Sequence, residues 1–116
     1  MEEYLGKIVK VVMDRPLGSR HPEHGFIYPV NYGYIPNTEA GDGEEIDAYI
    51  LGEFEPLKEY EGRVIAVIKR HNDEEDKLVV SKYGYNYTRA QIRALTEFQE
   101  RYFDVEIITC VEKKEK

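Results

Sequence analysis

The sequence predicts a mainly β (α+β) fold: a small, closed or nearly closed antiparallel β-barrel with one C-terminal helix packed on it. Two observations carry that expectation. Short runs rich in β-branched residues recur along the chain between clusters of Gly, Pro, Asn and Asp. One stretch near the C-terminus repeats its apolar residues at helical spacing behind a capping signal. The length of 116 residues matches one core, so a single domain over 1–116 is expected.

Residues 7–13 form the first expected strand: Ile8, Val9, Val11 and Val12 are β-branched, and the run stops at Asp14-Arg15-Pro16-Leu17-Gly18. Residues 26–36, FIYPVNYGYIP, are dense in aromatic rings, and Pro29, Gly33 and Pro36 exclude a regular helix, so extended, irregular chain is expected. A polar loop over 37–45 leads to a short apolar strand at 47–51, ending at Gly52. RVIAVIK at 63–69 and KLVVS at 77–81 read as a hairpin joined by the charged connection 70–76. The helix begins at Thr88, where Thr88 and Gln91 have capping-box spacing, and Ile92, Leu95, Phe98 and Tyr102 mark its apolar face. Residues 105–111, VEIITCV, return as a last strand, and 112–116 make a charged tail. About five strands and one helix in this order suit an OB-like barrel.

A formal net charge of -7 and a pI near 5.0 repel a phosphate backbone over most of the surface, which argues against nucleic acid as a partner. An acidic chain handles small phosphates when divalent cations bridge its carboxylates to them. No apolar run approaches the ~18 residues of a membrane helix, so no membrane association is expected. The start Met-Glu-Glu-Tyr lacks the basic and apolar regions of a signal peptide. Cys110 is the only cysteine, which excludes an intrachain disulfide and fits a reducing, cytoplasmic setting.

The densest chemical signal is Gly41-Asp42-Gly43-Glu44-Glu45-Ile46-Asp47. In extended chain Asp42 and Glu44 project to one side, and the glycines permit the tight backbone that brings Asp47 to the same place. Carboxylate oxygens in such a group suit hard cations like Mg²⁺. Taken alone, a Gly- and Glu-rich stretch is more often a solvated loop.

The flanking residues point further. Residues 28–52, YPVNYGYIPNTEAGDGEEIDAYILG, closely resemble the core of the family I soluble inorganic pyrophosphatases, in which Tyr-Pro-x-Asn-Tyr-Gly-aromatic-Ile-Pro precedes a short loop and Asp-Gly-Asp-x-x-Asp. The likeness continues more weakly to Phe103. It implies Mg²⁺-dependent hydrolysis of inorganic pyrophosphate to two phosphates, with Mn²⁺ as a substitute. By the same resemblance Asp42, Glu44, Asp47, Asp73 and Glu75 would hold metal, with Asp76 an alternative in the same acidic connection. Asp47, Asp42 and Tyr32 would be catalytic, and Arg20, Lys77 and Tyr102 would bind phosphate. Asp14 matches the family's acid two residues before an early proline. A metal-activated water would attack one phosphorus while the ions cancel charge on its oxygens. Relatives of this type are commonly oligomeric, so self-association is expected.

Three departures accompany the likeness. Glu44 stands where the family has Asp, and a displacement of about 1 Å in a preorganised site costs on the order of 10²-fold in rate. Residues 15–27, RPLGSRHPEHGFI, replace a long hairpin that carries a phosphate-binding Lys. Phe103 stands where another Lys is frequent. The resemblance thus leaves three readings open: a working pyrophosphatase, a hydrolase retuned to another phosphorylated small molecule, and a catalytically inactive module of the same fold that binds a phosphate ligand or a protein.

Other candidates are weaker. His21 and His24 form H-x-x-H, but zinc needs a third ligand, and a solvated loop is the expectation. His71 is expected to face solvent. Tyr83, Tyr85 and Tyr87 are expected in the core beneath the helix rather than as a base-stacking surface. Cys110 reads as an inert core residue.

Overall fold

The computed structural model describes residues 1–72 and 75–109. Among them are six strands: β1 (Ile8–Arg15), β2 (Asn31–Ile35), β3 (Ile46–Leu51), β4 (Glu59–Arg70), β5 (Lys77–Ser81) and β6 (Val105–Thr109). One α-helix, α1 (Arg89–Glu100), and a 3₁₀ turn at Glu2–Tyr4 complete the regular structure. The order β1-β2-β3-β5-β4 is closed by pairing of β1 with β4, which makes a five-stranded barrel with β6 appended to β4. β4 is long enough for both tasks: residues 59–63 pair with β1 and residues 66–70 with β6. The expected hairpin of β4 and β5 is present. The strand pairings are antiparallel except β3 with β5, which is parallel, in keeping with the closed, mainly antiparallel barrel expected.

The stretch expected to be irregular contains β2, which pairs with β1 on one side and β3 on the other. Pro29 and Pro36 flank the strand instead of interrupting its ladder. Gly33 sits where β1 and β2 approach most closely, since a Cβ there would lie 2.0 Å from the Val12 carbonyl oxygen. No other residue fits that crossing without backbone movement.

Two apolar clusters account for the burial of both strand faces. Val11, Ile35, Ala48, Ile50, Val67 and Val80 belong to one, inside the barrel. Tyr28, Tyr32, Tyr49, Leu51, Val79 and Ile107 belong to the other, which packs against Ile92 of α1. Residues alternate between the clusters along β3 because successive side chains point to opposite faces.

The capping box at Thr88 is formed, with Thr88 and Gln91 bonded to each other's backbone. The buried face of α1 is Ile92, Thr96, Gln99 and Glu100, whereas Leu95 and Tyr102 are exposed. Polar groups are buried here because each has a partner: Thr96 donates to the Ile92 carbonyl, Gln99 to Tyr49, and Glu100 pairs with Arg70. Tyr83 and Tyr85 do not fill the core; they are exposed, with Arg63 and Lys82 over their rings, and only Tyr87 packs against the second cluster. His71 is half-exposed beside Glu106. Asp73, Cys110 and the end of the last expected strand lie outside the described residues. Among the described residues no helix is long and apolar enough to cross a membrane.

Candidate active site

A cavity of about 410 Å³ opens where one face of the barrel meets the C-terminal end of α1. Strand register assembles its charged floor. β3 and β5 run parallel with Ala48 opposite Leu78, so Asp47 and Lys77, one step earlier on each strand, share a face. The Lys77 Nζ donates to Asp47 Oδ2 at 2.7 Å and to Glu75 Oε2 at 2.5 Å. The Tyr32 hydroxyl donates to the same Asp47 oxygen at 2.9 Å. The ammonium is only 3% exposed, and its two carboxylate partners offset the cost of that burial.

β1 contributes through an irregularity. Met13 opposes Gly33 and Arg15 opposes Tyr32, leaving Asp14 as an extra residue between them, so that both Asp14 and Arg15 line the cavity. The Arg15 guanidinium donates to the Tyr28 hydroxyl at 2.9 Å, and that hydroxyl donates to Gln99 Oε1 at 2.8 Å. Behind it, Gln99 donates to the Tyr49 hydroxyl at 2.7 Å, Tyr49 donates to Glu100 at 2.6 Å, and Arg70 binds Glu100 through two nitrogens at 3.0 and 2.7 Å. The ring of Phe103 lies 3.7 Å from the Arg70 guanidinium carbon. This chain of bonds fixes the cavity wall to the helix.

The acids of the floor are driven apart in proton affinity. Burial pushes Asp47 upward, but the Lys77 charge and hydrogen bonds from Glu75, Lys77 and Tyr32 outweigh it and hold Asp47 below the ordinary range. Burial, then the hydrogen bond with Asp47, raises Glu75. Burial and the Asp47 charge raise Asp14. Tyr32 is pushed well above the usual phenol range, first by burial and then by Asp47, so it keeps its proton.

Of the residues singled out from the sequence, Asp47, Tyr32, Lys77, Glu75 and Tyr102 line the cavity, as does Asp14. Asp42 and Glu44 lie in an exposed turn outside its lining, with the Glu44 amide donating to Asp42 Oδ1 at 3.0 Å. Arg20 is also outside it and donates to the Gly25 carbonyl at 2.9 Å. His21 and His24, expected in a solvated loop, line the cavity, because His21 Nδ1 accepts from the amides of Glu23 and His24 and turns the segment inward. Arg15, Arg70 and Phe26 are cavity residues that the sequence did not single out. The signal for Arg15 was its place beside Asp14 at the end of a strand; Arg70 offered none beyond ending an apolar run.

Among the described residues no group of three or more acidic, imidazole or thiol side chains converges as a metal site. The donor set nevertheless fits a hard divalent cation in chemistry and in charge. Asp14, Asp47 and Glu75 offer carboxylate oxygens, and burial, followed by the neighbouring Asp47, raises the proton affinity of Asp14 and Glu75.

The site is thus a set of carboxylates, an ammonium and guanidinium groups around one cavity of a small closed barrel. Comparison with known proteins gives the family. Residues 5–108 match the family model described as inorganic pyrophosphatase, and the chain belongs to that family. It is 36% identical over 95 residues to an inorganic pyrophosphatase of Neisseria meningitidis serogroup B, covering 64% of this chain and 53% of that protein. The inorganic pyrophosphatase of Ralstonia nicotianae is 40% identical over 50 residues, 40% of this chain and 29% of that protein. The chain thus spans about half, or less, of these relatives. The crystal structure of an inorganic pyrophosphatase from Neisseria gonorrhoeae superposes with a TM-score of 0.71 at 24% identity, covering 95% of this chain and 87% of that one. That from Thermus thermophilus gives 0.60 at 19% identity, over 87% and 80%. These likenesses carry the barrel-plus-helix fold.

Proposed function

We propose that this chain, as a single domain over 1–116, hydrolyses inorganic pyrophosphate to two phosphates in the cytoplasm with Mg²⁺, or Mn²⁺ in its place. The observation that carries the reading is the cluster of Asp47, Lys77, Glu75 and Tyr32 on the cavity floor. Family membership supports it.

Asp14, Asp47 and Glu75, which line the cavity, would hold the metal; the resemblance adds Asp42 and Glu44, which lie in the exposed turn outside that lining, and Asp73. When bound, the cation lowers the pKa of a coordinated water and cancels charge on phosphate oxygens. The residues of the chain do the rest. Lys77 and Arg15 present positive charge to the phosphates, with the Tyr102 hydroxyl and, from the neighbouring turn, Arg20 as further donors. Asp47, held ionised at neutral pH, accepts the proton of the attacking water. Tyr32 retains its proton and orients the Asp47 carboxylate. As the water oxygen bonds to one phosphorus, the bridging P–O bond breaks and the leaving phosphate takes its electron pair. Self-association belongs to the same proposal.

The test is phosphate release from pyrophosphate at neutral pH with Mg²⁺, with Mn²⁺ and with chelator. Release that requires the metal supports the proposal; no release under any of the three conditions removes it.

A further inference from the structure

We infer that the cavity accepts a phosphoanhydride bearing a flat aromatic ring, with the phosphates on the charged floor and the ring on the wall built by the 15–27 segment; this rests on the phosphoanhydride chemistry proposed above. Besides Asp47 and Lys77, the cavity lining carries aromatic rings that the proposed hydrolysis does not use: His21, His24 and Phe26 of the 15–27 segment, with Tyr102 from beyond α1. His24 and Phe26 lie 11° from parallel with centroids 6.2 Å apart, and His24 and Tyr102 lie 24° from parallel at 6.0 Å. His21 joins them 4.7 Å from His24. His24 and the 60% exposed Tyr102, far apart in the chain, both line the cavity.

Inorganic pyrophosphate makes no use of such a wall. It has no apolar surface and no π face, so Tyr102 reaches it only through its hydroxyl. A planar ring, by contrast, would extend the stack that the exposed His24 and Tyr102 already form, and stacking of this kind tolerates any base because each has a π face. The cavity volume of about 410 Å³ also falls in the range of roughly 300–1,000 Å³ usual for organic ligands. A nucleoside 5′-diphosphate is the simplest molecule with both parts. In its hydrolysis the water oxygen bonds to the terminal phosphorus and the bridging P–O bond breaks. The bridging oxygen leaves on the nucleoside monophosphate with the electron pair, and the water proton passes to Asp47 and then to solvent.

The experiment measures kcat/KM with Mg²⁺ for adenosine 5′-diphosphate, for ribose 5-diphosphate, which lacks only the ring, and for inorganic pyrophosphate, in wild type and His24→Ala. In the wild type adenosine 5′-diphosphate should exceed the ring-free ester by about 5- to 150-fold, the worth of one stacking contact, and the excess should shrink in His24→Ala. Equal values for the two esters in the wild type overturn the inference, as does turnover of pyrophosphate alone. Turnover of adenosine 5′-diphosphate with the ring preference but without pyrophosphate turnover sustains it and removes pyrophosphate as the substrate. Silence toward all three removes the proposed hydrolysis and this inference with it.

Discussion

Lys77 is the residue on which the cavity floor turns, because one nearly enclosed ammonium serves two carboxylates. Replacing it with Met leaves Asp47 and Glu75 facing each other without compensation. Both acids keep some contact with water, so the expected loss is about 1–3 kcal/mol rather than the larger cost of breaking a fully buried pair. Urea denaturation at pH 7 measures it. Asp14 predicts the opposite sign. Burial and the Asp47 charge raise its pKa, and a carboxyl raised on folding stabilises most when protonated, below its unfolded pKa, losing that contribution as pH rises through the folded value. At neutral pH the ionised Asp14 is therefore a burden. Asp14→Asn should raise the melting midpoint at pH 7, by an amount kept small by solvent screening because Asp14 is exposed, and the gain should vanish on acidification below the ordinary Asp range. Asp47, Tyr32 and Lys77 were singled out by the resemblance to the pyrophosphatase family, and all three line the cavity. Arg15 and Arg70 were not, since an arginine at a strand end has the composition of a surface residue, and only the slip in β1 and the pairing of β4 with β6 place them at the cavity.

At the scale of elements, the strands with one clear run of β-branched residues were readable, and so was the capping box that starts α1. β2 was hidden because both of its faces are buried, which removes the alternation that marks a strand, and because two prolines stand just outside it. Its glycine supplies a sharp prediction. A methyl group at Gly33 would meet the backbone of Val12, which has no flexible side chain to yield. Gly33→Ala should cost about 3 kcal/mol or more, read as a lowered denaturation midpoint or loss of soluble protein; a midpoint equal to wild type would show that the β1–β2 crossing is looser than described. The buried face of the helix was misjudged for a related reason. Leu95 and Tyr102 fit an apolar spacing, but Gln99 and Glu100 are taken into the interior by hydrogen bonds to Tyr49 and Arg70 that no local pattern announces.

For the whole molecule, chain order says little about which distant strands meet. The pairing of β1 with β4 closes the barrel, and the parallel pairing of β3 with β5 sets Asp47 beside Lys77; both join strands that are not sequential neighbours. An overall charge of -7 is compatible with the proposed anionic substrate once a cation is present. Mass action then predicts that Mg²⁺ stabilises the fold, by about 2.7 kcal/mol at a hundredfold excess over its Kd. Melting curves of wild type should show that shift, and those of Asp47→Asn should lack it. The most direct measurement is pyrophosphate hydrolysis under saturating Mg²⁺ by wild type and Asp47→Asn side by side, with circular dichroism confirming that both are folded. The account predicts metal-dependent release by the wild type and a fall of at least about 100-fold in the variant, the scale of a displaced group in a preorganised site. Undiminished release by a folded Asp47→Asn would contradict it.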